Sequence, residues 1–415
     1  MDRSPAVPMT LAGGVAPSER WLVATTEYAG LTSYTGGIGR HYAALLPALV
    51  RQGVEIDLVV FSDAQPRADA ELHGVRLVAF ERAGGTAPIR TLFANARRVR
   101  HLYEAGAYDR VFVPEWCALG AALPRRAPLL TNLATSARLA NRVSGLRLRD
   151  LPRARRLPVA LQMHRESRQI RRSAGLIPIS TAMLIRAGVG ASSRAAVVRN
   201  CIDVEHVRAA STAAALPPGW PEGGDPVILF LGRSERRKGV VDAVAAFGRL
   251  NDPRARLVLA GAGGDARFEP TRADLLALVP APVRERITWL GHVPGDDLYV
   301  AIREATVAMC PSRWEGFGNV ALEVKAIGTP LVVTSGSGFD DFCVDGEDCL
   351  MVPPADPDRL ALALRALLDS PVLARELAAR ARRGIDRFAP DPVAADLIAA
   401  ADRLLGGSGR RRGGE

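Results

Sequence analysis

Short, unbroken apolar runs alternate with helical stretches along this chain, and the whole alternation occurs twice. In the first half the runs are Trp21–Thr25, Ile56–Phe61, Val75–Phe80, Arg110–Val113, Leu129–Asn132, Gly175–Ile179 and Ala195–Val198. In the second half they are Val227–Leu231, Arg256–Ala260, Ile287–Leu290, Val307–Met309, Leu331–Thr334 and Leu350–Val352. Continuous apolar strands separated by helices imply parallel sheets with both faces covered. The second-half helices are expected at Val240–Leu250, Asp274–Val279, Val320–Ile327 and Arg359–Leu368. Between the halves lies STAAALPPGWPEGGDP, from Ser211 to Pro226, whose Pro and Gly content marks a linker. At 415 residues the chain exceeds one ordinary core. The expected class is therefore α/β, with two Rossmann-like domains facing across a cleft. In such folds ligands bind at the carboxyl ends of the strands.

The boundaries predicted are a flexible leader at 1–19, a first domain at 20–206, a linker at 207–226 and a second domain at 227–385. A C-terminal helix is expected at 386–406 and a disordered tail at 407–415. No uncharged apolar stretch reaches the length of about 18 residues that a spanning helix requires. The proline-broken leader does not read as a signal peptide. The five cysteines have no paired or metal-like spacing, although Cys343 and Cys349 could meet across a loop, so a reduced, cytoplasmic setting is expected.

The formal charge is +10, and eleven arginines between Arg138 and Arg172 face only Asp150 and Glu166. That stretch reads either as a solvated helical surface or as a contact for an anionic membrane or acceptor. Nucleic acid is not expected, because no aromatic residue interleaves the arginines.

The chemistry concentrates in PSRWEGFGNVALEVKAIGTP. Glu315 lies in a Gly-rich loop, and Glu323 lies about one turn into the helix that follows. A strand, glycine loop and helix present backbone N–H groups and a positive helix end, which suits an anion. Two carboxylates beside an anion site are good acceptors for sugar or ribose hydroxyls. Upstream, VILFLGRSERRKG places Gly232, Arg233 and Lys238 at another strand-to-helix turn. Arg233 and Lys238 suit a diphosphate clamp, with Arg236 and Arg237 as solvent-facing bystanders. Near the N-terminus, TGGIGRH sets Gly36, Gly37 and Gly39 before a helix, where the backbone can approach an anion.

Three motifs point elsewhere. Gly261, Gly263 and Ala266 fit a dinucleotide fingerprint formally, but Pro270 interrupts before any helix, so a turn is the better reading. Asp356 and Asp358 spell D-x-D immediately before a helix, where Asp is a good cap. The six histidines show no metal-ligand spacing, so no metal site is assigned.

With these elements in order, the chain resembles the retaining GT-B glycosyltransferases of family 4. The resemblance rests on GRSERRKG, ITWLGHVPGDDL, the E-x7-E loop, DGEDCLMVPPADPDRLALAL, TGGIGRHYAALLPALVRQGVEIDLVV and VVRNCIDVEHV. It is thinner between Phe80 and Ile170. It implies a GT-B fold with an N-terminal acceptor domain, a C-terminal nucleotide-sugar donor domain, and a last helix crossing back to the first domain. Arg233 and Lys238 would neutralise the donor diphosphate, with Gly36, Gly37 and Gly232 beside it. Glu323 would hold the ribose and Glu315 the transferred sugar, so Arg233, Lys238 and Glu315 stand as the catalytic set. Gly316, Phe317, Gly318 and Asn319 would line the sugar and phosphate pocket, and Val293 would sit near the nucleobase. The donor would be a UDP-, GDP- or other NDP-sugar, with no further cofactor. The acceptor would be a small molecule, a polysaccharide or a lipid-linked hydroxyl.

Two departures stand out. A histidine common in the family after the strand ending LLTNLATS is replaced by Asn132, Leu133 and Ala134, leaving Thr135 or Ser136 as substitutes. Cys201 stands where the family has glycine. The reaction expected is a metal-independent, retaining hexosyl transfer. A GT-B sugar phosphorylase and a non-catalytic nucleotide-sugar-binding protein are the alternatives. A glycoside hydrolase is disfavoured, because the cations would depress the pKa that a general acid needs raised.

Overall fold

A computed structural model of the chain describes residues 19–32, 35–62, 71–82, 88–189, 194–264 and 269–406. The tail at 407–415, Ala266, and all of the leader except Glu19 lie outside the described residues.

Each half builds one six-stranded, wholly parallel sheet. The first comprises β1 (Arg20–Thr25), β2 (Glu55–Ser62), β3 (Arg76–Arg82), β4 (Arg110–Pro114), β5 (Leu129–Leu133) and β6 (Gly175–Pro178). Their spatial order is β3-β2-β1-β4-β5-β6. The second comprises β7 (Val227–Leu231), β8 (Arg256–Ala260), β9 (Ile287–Gly291), β10 (Val307–Cys310), β11 (Leu331–Thr334) and β12 (Leu350–Val352), ordered β12-β11-β10-β7-β8-β9. Both are doubly wound, and chain order reverses between β1 and β4 in one and between β7 and β10 in the other. Crevices at such reversals are where open α/β sheets bind ligands.

The strands form because their Val, Leu, Ile and Phe residues are buried on both faces: β4, β5 and β7 have every residue buried. The strand expected at Ala195–Val198 is instead an isolated bridge, Leu176↔Ala195, with further backbone bonds from Ala196 and Val198 to β6. Residues 204–213, at the edge of the Pro- and Gly-rich stretch, are helical. Helices Gly295–Glu304 and Pro371–Arg383 also occur in the second half, where no helix was expected.

The last helix, Pro390–Leu405, returns to the first domain. Its Val393, Ala394, Leu397, Ala400 and Ala401 pack with Trp21, Tyr42 and Leu45. Arg51 adds a 2.6 Å ion pair to Asp391. A further apolar cluster joins the domains directly, since Leu133, Ala134, Ile179 and Met183 of the first meet Phe317, Phe339 and Phe342 of the second. The domains are therefore in contact over the cleft, and the site lies at that contact.

Candidate active site

The loop after β7 carries Gly232, Arg233, Arg237 and Lys238, and the loop after β10 carries Glu315 and leads into helix Asn319–Ile327. Because β7 and β10 are neighbours, the two loops share one crevice. Lys238 Nζ donates to Glu315 Oε2 at 2.5 Å, Ser312 Oγ donates to the same oxygen at 3.3 Å, and Arg237 Nη1 lies 4.0 Å from Oε1. Burial works to raise the Glu315 carboxyl, but Lys238, Arg237 and these hydrogen bonds outweigh it and hold it below the usual range.

The four cations do not divide as the sequence suggested. Arg237, read there as a solvent-facing bystander, is only 16% exposed and faces both Glu235 and Glu315. Arg233 is the outer member, 48% exposed and paired with Glu235 at 2.7 Å. Arg236 is exposed. A 3-10 turn at Arg236–Lys238 makes the difference, because it directs consecutive side chains to different sides.

Glu323 is buried on helix Asn319–Ile327, and its Oε1 accepts from Arg40 Nη1 of the first domain at 3.1 Å. Its Oε2 has no hydrogen-bond partner among the described residues. Burial raises this carboxyl, and Arg40 pulls against the rise without cancelling it. Asn319 bridges the domains, accepting from Asn200 Nδ2 at 3.0 Å and donating to the Gly37 carbonyl at 3.2 Å. Gly316 accepts from Ser180 Oγ at 2.6 Å. Phe317 is buried against Phe342, and Gly318 is the left-handed residue that starts the helix. Val293 is buried on the chain leaving β9.

The glycine loop of the first domain already holds an anion of its own. Glu27, on the chain leaving β1, accepts from Gly36 N–H and from Gly39 N–H. A Cβ at Gly36 would stand 2.9 Å from the Glu27 carboxylate, and one at Gly39 would stand 3.2 Å from its Cγ. These two glycines make room for Glu27, which takes the capping role at helix Gly37–Arg51. Gly37 itself stays exposed and faces Asn319.

In the first domain, Asn132 is buried, donating to the Ile177 carbonyl at 3.1 Å. Thr135 Oγ1 donates to the Ala134 carbonyl, and Ser136 Oγ caps helix Ala137–Val143. Both hydroxyls are thus engaged in local hydrogen bonds. A carboxylate absent from the sequence reading lies beneath them. Glu115, at the end of β4, accepts from Ala134 N–H at 2.9 Å, and Glu166 accepts from Ala137 N–H at 2.7 Å and Cys117 N–H at 3.1 Å. Burial pushes Glu115 up to about 8 and Glu166 up to about 7. Cys201 packs on His41, donating its backbone N–H to Nδ1 at 3.1 Å.

The remaining motifs are structural. A Cβ on Gly261 would lie 2.0 Å from the Gly232 carbonyl, so that glycine permits two chain crossings rather than a dinucleotide contact. Asp356 caps helix Pro357–Asp369 through Arg359 N–H at 2.9 Å. Cys343 and Cys349 do approach each other, together with Asp348, and Lys325 Nζ supplies the cation there at 2.8 Å from Asp348. No helix among the described residues is long and apolar enough to cross a membrane. Of the arginine-rich stretch, Arg147, Arg149, Arg153, Arg155 and Arg156 are exposed, whereas Glu166 is buried and turned inward.

Residues 217–384 match the family model described as glycosyl transferases group 1, and residues 35–206 match glycosyltransferase family 4. The chain is 30% identical over 407 residues to a glycogen synthase of Mycobacterium tuberculosis, covering 88% of this chain and 89% of that protein. Among solved structures it is similar to a sucrose-phosphate synthase from Thermosynechococcus elongatus, with TM-score 0.70, 21% identity, and coverage of 93% of this chain and 99% of that one. Anabaena HepE, solved in complex with UDP-glucose, matches at TM-score 0.63 and 14% identity, over 93% of this chain and 99% of that one.

Proposed function

The chain belongs to the group 1 glycosyltransferases of family 4, with the GT-B fold, and on that premise we propose that it moves a hexose-type sugar from a nucleoside diphosphate to an acceptor hydroxyl with retention at the anomeric carbon. The observation that carries this reading is the cluster of Lys238, Arg237 and Glu315 at the order reversal of the second sheet. A donor diphosphate entering there exchanges with Glu315 as the partner of Lys238. Arg237 and the outer Arg233 add countercharge, so the site supplies cations without a metal. Glu315, released from Lys238, accepts from sugar hydroxyls. Glu323 Oε2 accepts from the ribose, and Val293 lines the base.

In the transfer, the bond from the anomeric carbon to the phosphate oxygen breaks as the acceptor oxygen bonds to that carbon. Negative charge then grows on the leaving phosphate, and Lys238 and Arg237 are placed to stabilise it. The acceptor proton goes to a leaving-phosphate oxygen on the same face, which accords with retention. Asn132, Thr135 and Ser136 are engaged in local hydrogen bonds, and an amide or an unactivated hydroxyl is too weak a base to take that proton.

The UDP-glucose complex of HepE supports a nucleotide-sugar donor, and a UDP-, GDP- or other NDP-sugar fits the reading. A polysaccharide, small-molecule or lipid-linked acceptor fits the reading. The exposed arginines of the Arg138–Arg172 stretch would meet an anionic acceptor or the inner face of a membrane in the cytoplasm.

A thermal-shift screen of nucleotide sugars identifies base and sugar together, since a ligand at 100 times its Kd stabilises by about 2.7 kcal/mol. Product analysis with candidate acceptors, including the anomeric configuration, follows. Inverted product overturns retention. Phosphate-dependent release of sugar 1-phosphate identifies a phosphorylase instead. Tight donor binding with no turnover on any acceptor identifies a binding protein.

A further inference from the structure

Arg40 and Glu323 are 283 residues apart in sequence and belong to different domains. Arg40 is in the first turn of helix Gly37–Arg51, directly after the glycine loop that Glu27 holds. Glu323 has a side chain only 2% exposed, with Arg40 on one oxygen and nothing among the described residues on the other. A buried carboxylate oxygen without a partner is costly, so Oε2 stands as an unused acceptor on a side chain that already bridges the two domains. The cation that makes burial of this carboxylate tolerable comes wholly from the opposite domain. The bond therefore exists only while the domains are together.

We propose that Arg40 is a positioning residue for donor binding: by bonding Glu323 Oε1 across the cleft it sets Oε2 toward the ribose hydroxyls, so that domain closure and nucleotide binding reinforce each other. This rests on the ribose role of Glu323 proposed above. Arg40 is the one cation acting on Glu323 among the described residues. Tyr299 of helix Gly295–Glu304 and Cys310 at the end of β10 also lie within its field, and both are neutral at physiological pH, burial raising each. Asn319, one turn before Glu323 and bonded to Gly37, fixes the same two helices against each other. The contact is thus anchored at two points.

The test is calorimetric titration of the full chain with UDP, GDP and ADP, using whichever binds. Arg40→Ala weakens Kd about tenfold, within the usual range of coupling between sites, and Arg40→Lys recovers part of the loss. In a Glu323→Gln background Arg40→Ala adds no further loss. The 2′,3′-dideoxy form of the same nucleotide binds wild type and Arg40→Ala alike. Melting curves identify any variant that fails to fold, and Arg40→Gln, which keeps a donor, replaces Arg40→Ala in that case. Weakened binding in Glu323→Gln with unchanged or tighter binding in Arg40→Ala overturns the role of Arg40 alone. Unchanged binding in Glu323→Gln overturns the ribose reading, and this inference with it.

Discussion

Lys238 donates to Glu315 at 2.5 Å, with side chains 22% and 14% exposed, so the cation proposed to meet phosphate and the acid proposed to meet sugar hydroxyls neutralise each other before any ligand arrives. A donor carrying both phosphate and hydroxyls can replace both halves of that pair at once. A ligand with only one of these features leaves a buried charge behind, which is expensive.

Replacing Lys238 by Ala lowers kcat about a hundredfold, equivalent to about 3 kcal/mol, by analogy with loss of a donor that stabilises a developing anion. Steady-state kinetics with the best donor measures it. An unchanged kcat removes Lys238 from the mechanism.

Arg237→Gln lowers turnover, whereas Arg236→Gln changes it little. Arg237 is 4.0 Å from Glu315, and Arg236 is exposed. Unchanged turnover in Arg237→Gln would return Arg237 to the status of a bystander, and a comparable loss in Arg236→Gln would contradict the division between them.

Glu315→Gln alters discrimination among sugars and tightens binding of the free nucleoside diphosphate, which no longer has to displace a carboxylate from Lys238. Competition assays with donors differing at single hydroxyls read this directly. A uniform loss across all sugars contradicts a role in hydroxyl recognition.

Thermal stability falls as pH rises toward 8. Glu115 and Glu166 are raised by burial to about 8 and about 7, so between the unfolded carboxylate range and those values the folded chain holds protons that the unfolded chain has lost. Their contribution is fully present at acid pH and is lost as pH climbs through the folded values. Melting temperatures across pH 5.5 to 8.5 test this as a rough window, and Glu115→Gln flattens the slope.

Gly316→Ala raises KM for the donor with little change in melting temperature. Its Cβ would stand 3.2 Å from the Ala134 carbonyl and 3.6 Å from Ile179, both in the first domain, so it opposes closure rather than folding of its own domain. Small-angle scattering with donor present checks whether the compact state is lost.

Much of the site is legible in local sequence because strand, loop and helix succeed one another within a few residues. The run from Val307 to Ile327 encodes its own strand, glycine turn and helix, and Glu315 and Glu323 occupy the places expected of them in those elements. The sides taken by Arg233 and Arg237 depend instead on one 3-10 turn, which no periodicity signals. Glu27 and Glu115 carry a faint signal, since each is an acid just beyond an apolar strand, but the amides each one holds come from loops read separately.

By itself the sequence determined two α/β halves with parallel sheets covered on both faces, the loops that carry the charged groups, and a last helix beyond the second half. Those follow from apolar periodicity, glycine placement and caps, all interactions among near neighbours in the chain. Only the tertiary structure decided that β7 lies beside β10, that Glu27 fills the helix end expected to await an anion, and that Arg40 reaches Glu323. These contacts join segments with no shared period, and they exist because burial of two apolar sheets and the cluster between them brings the segments together.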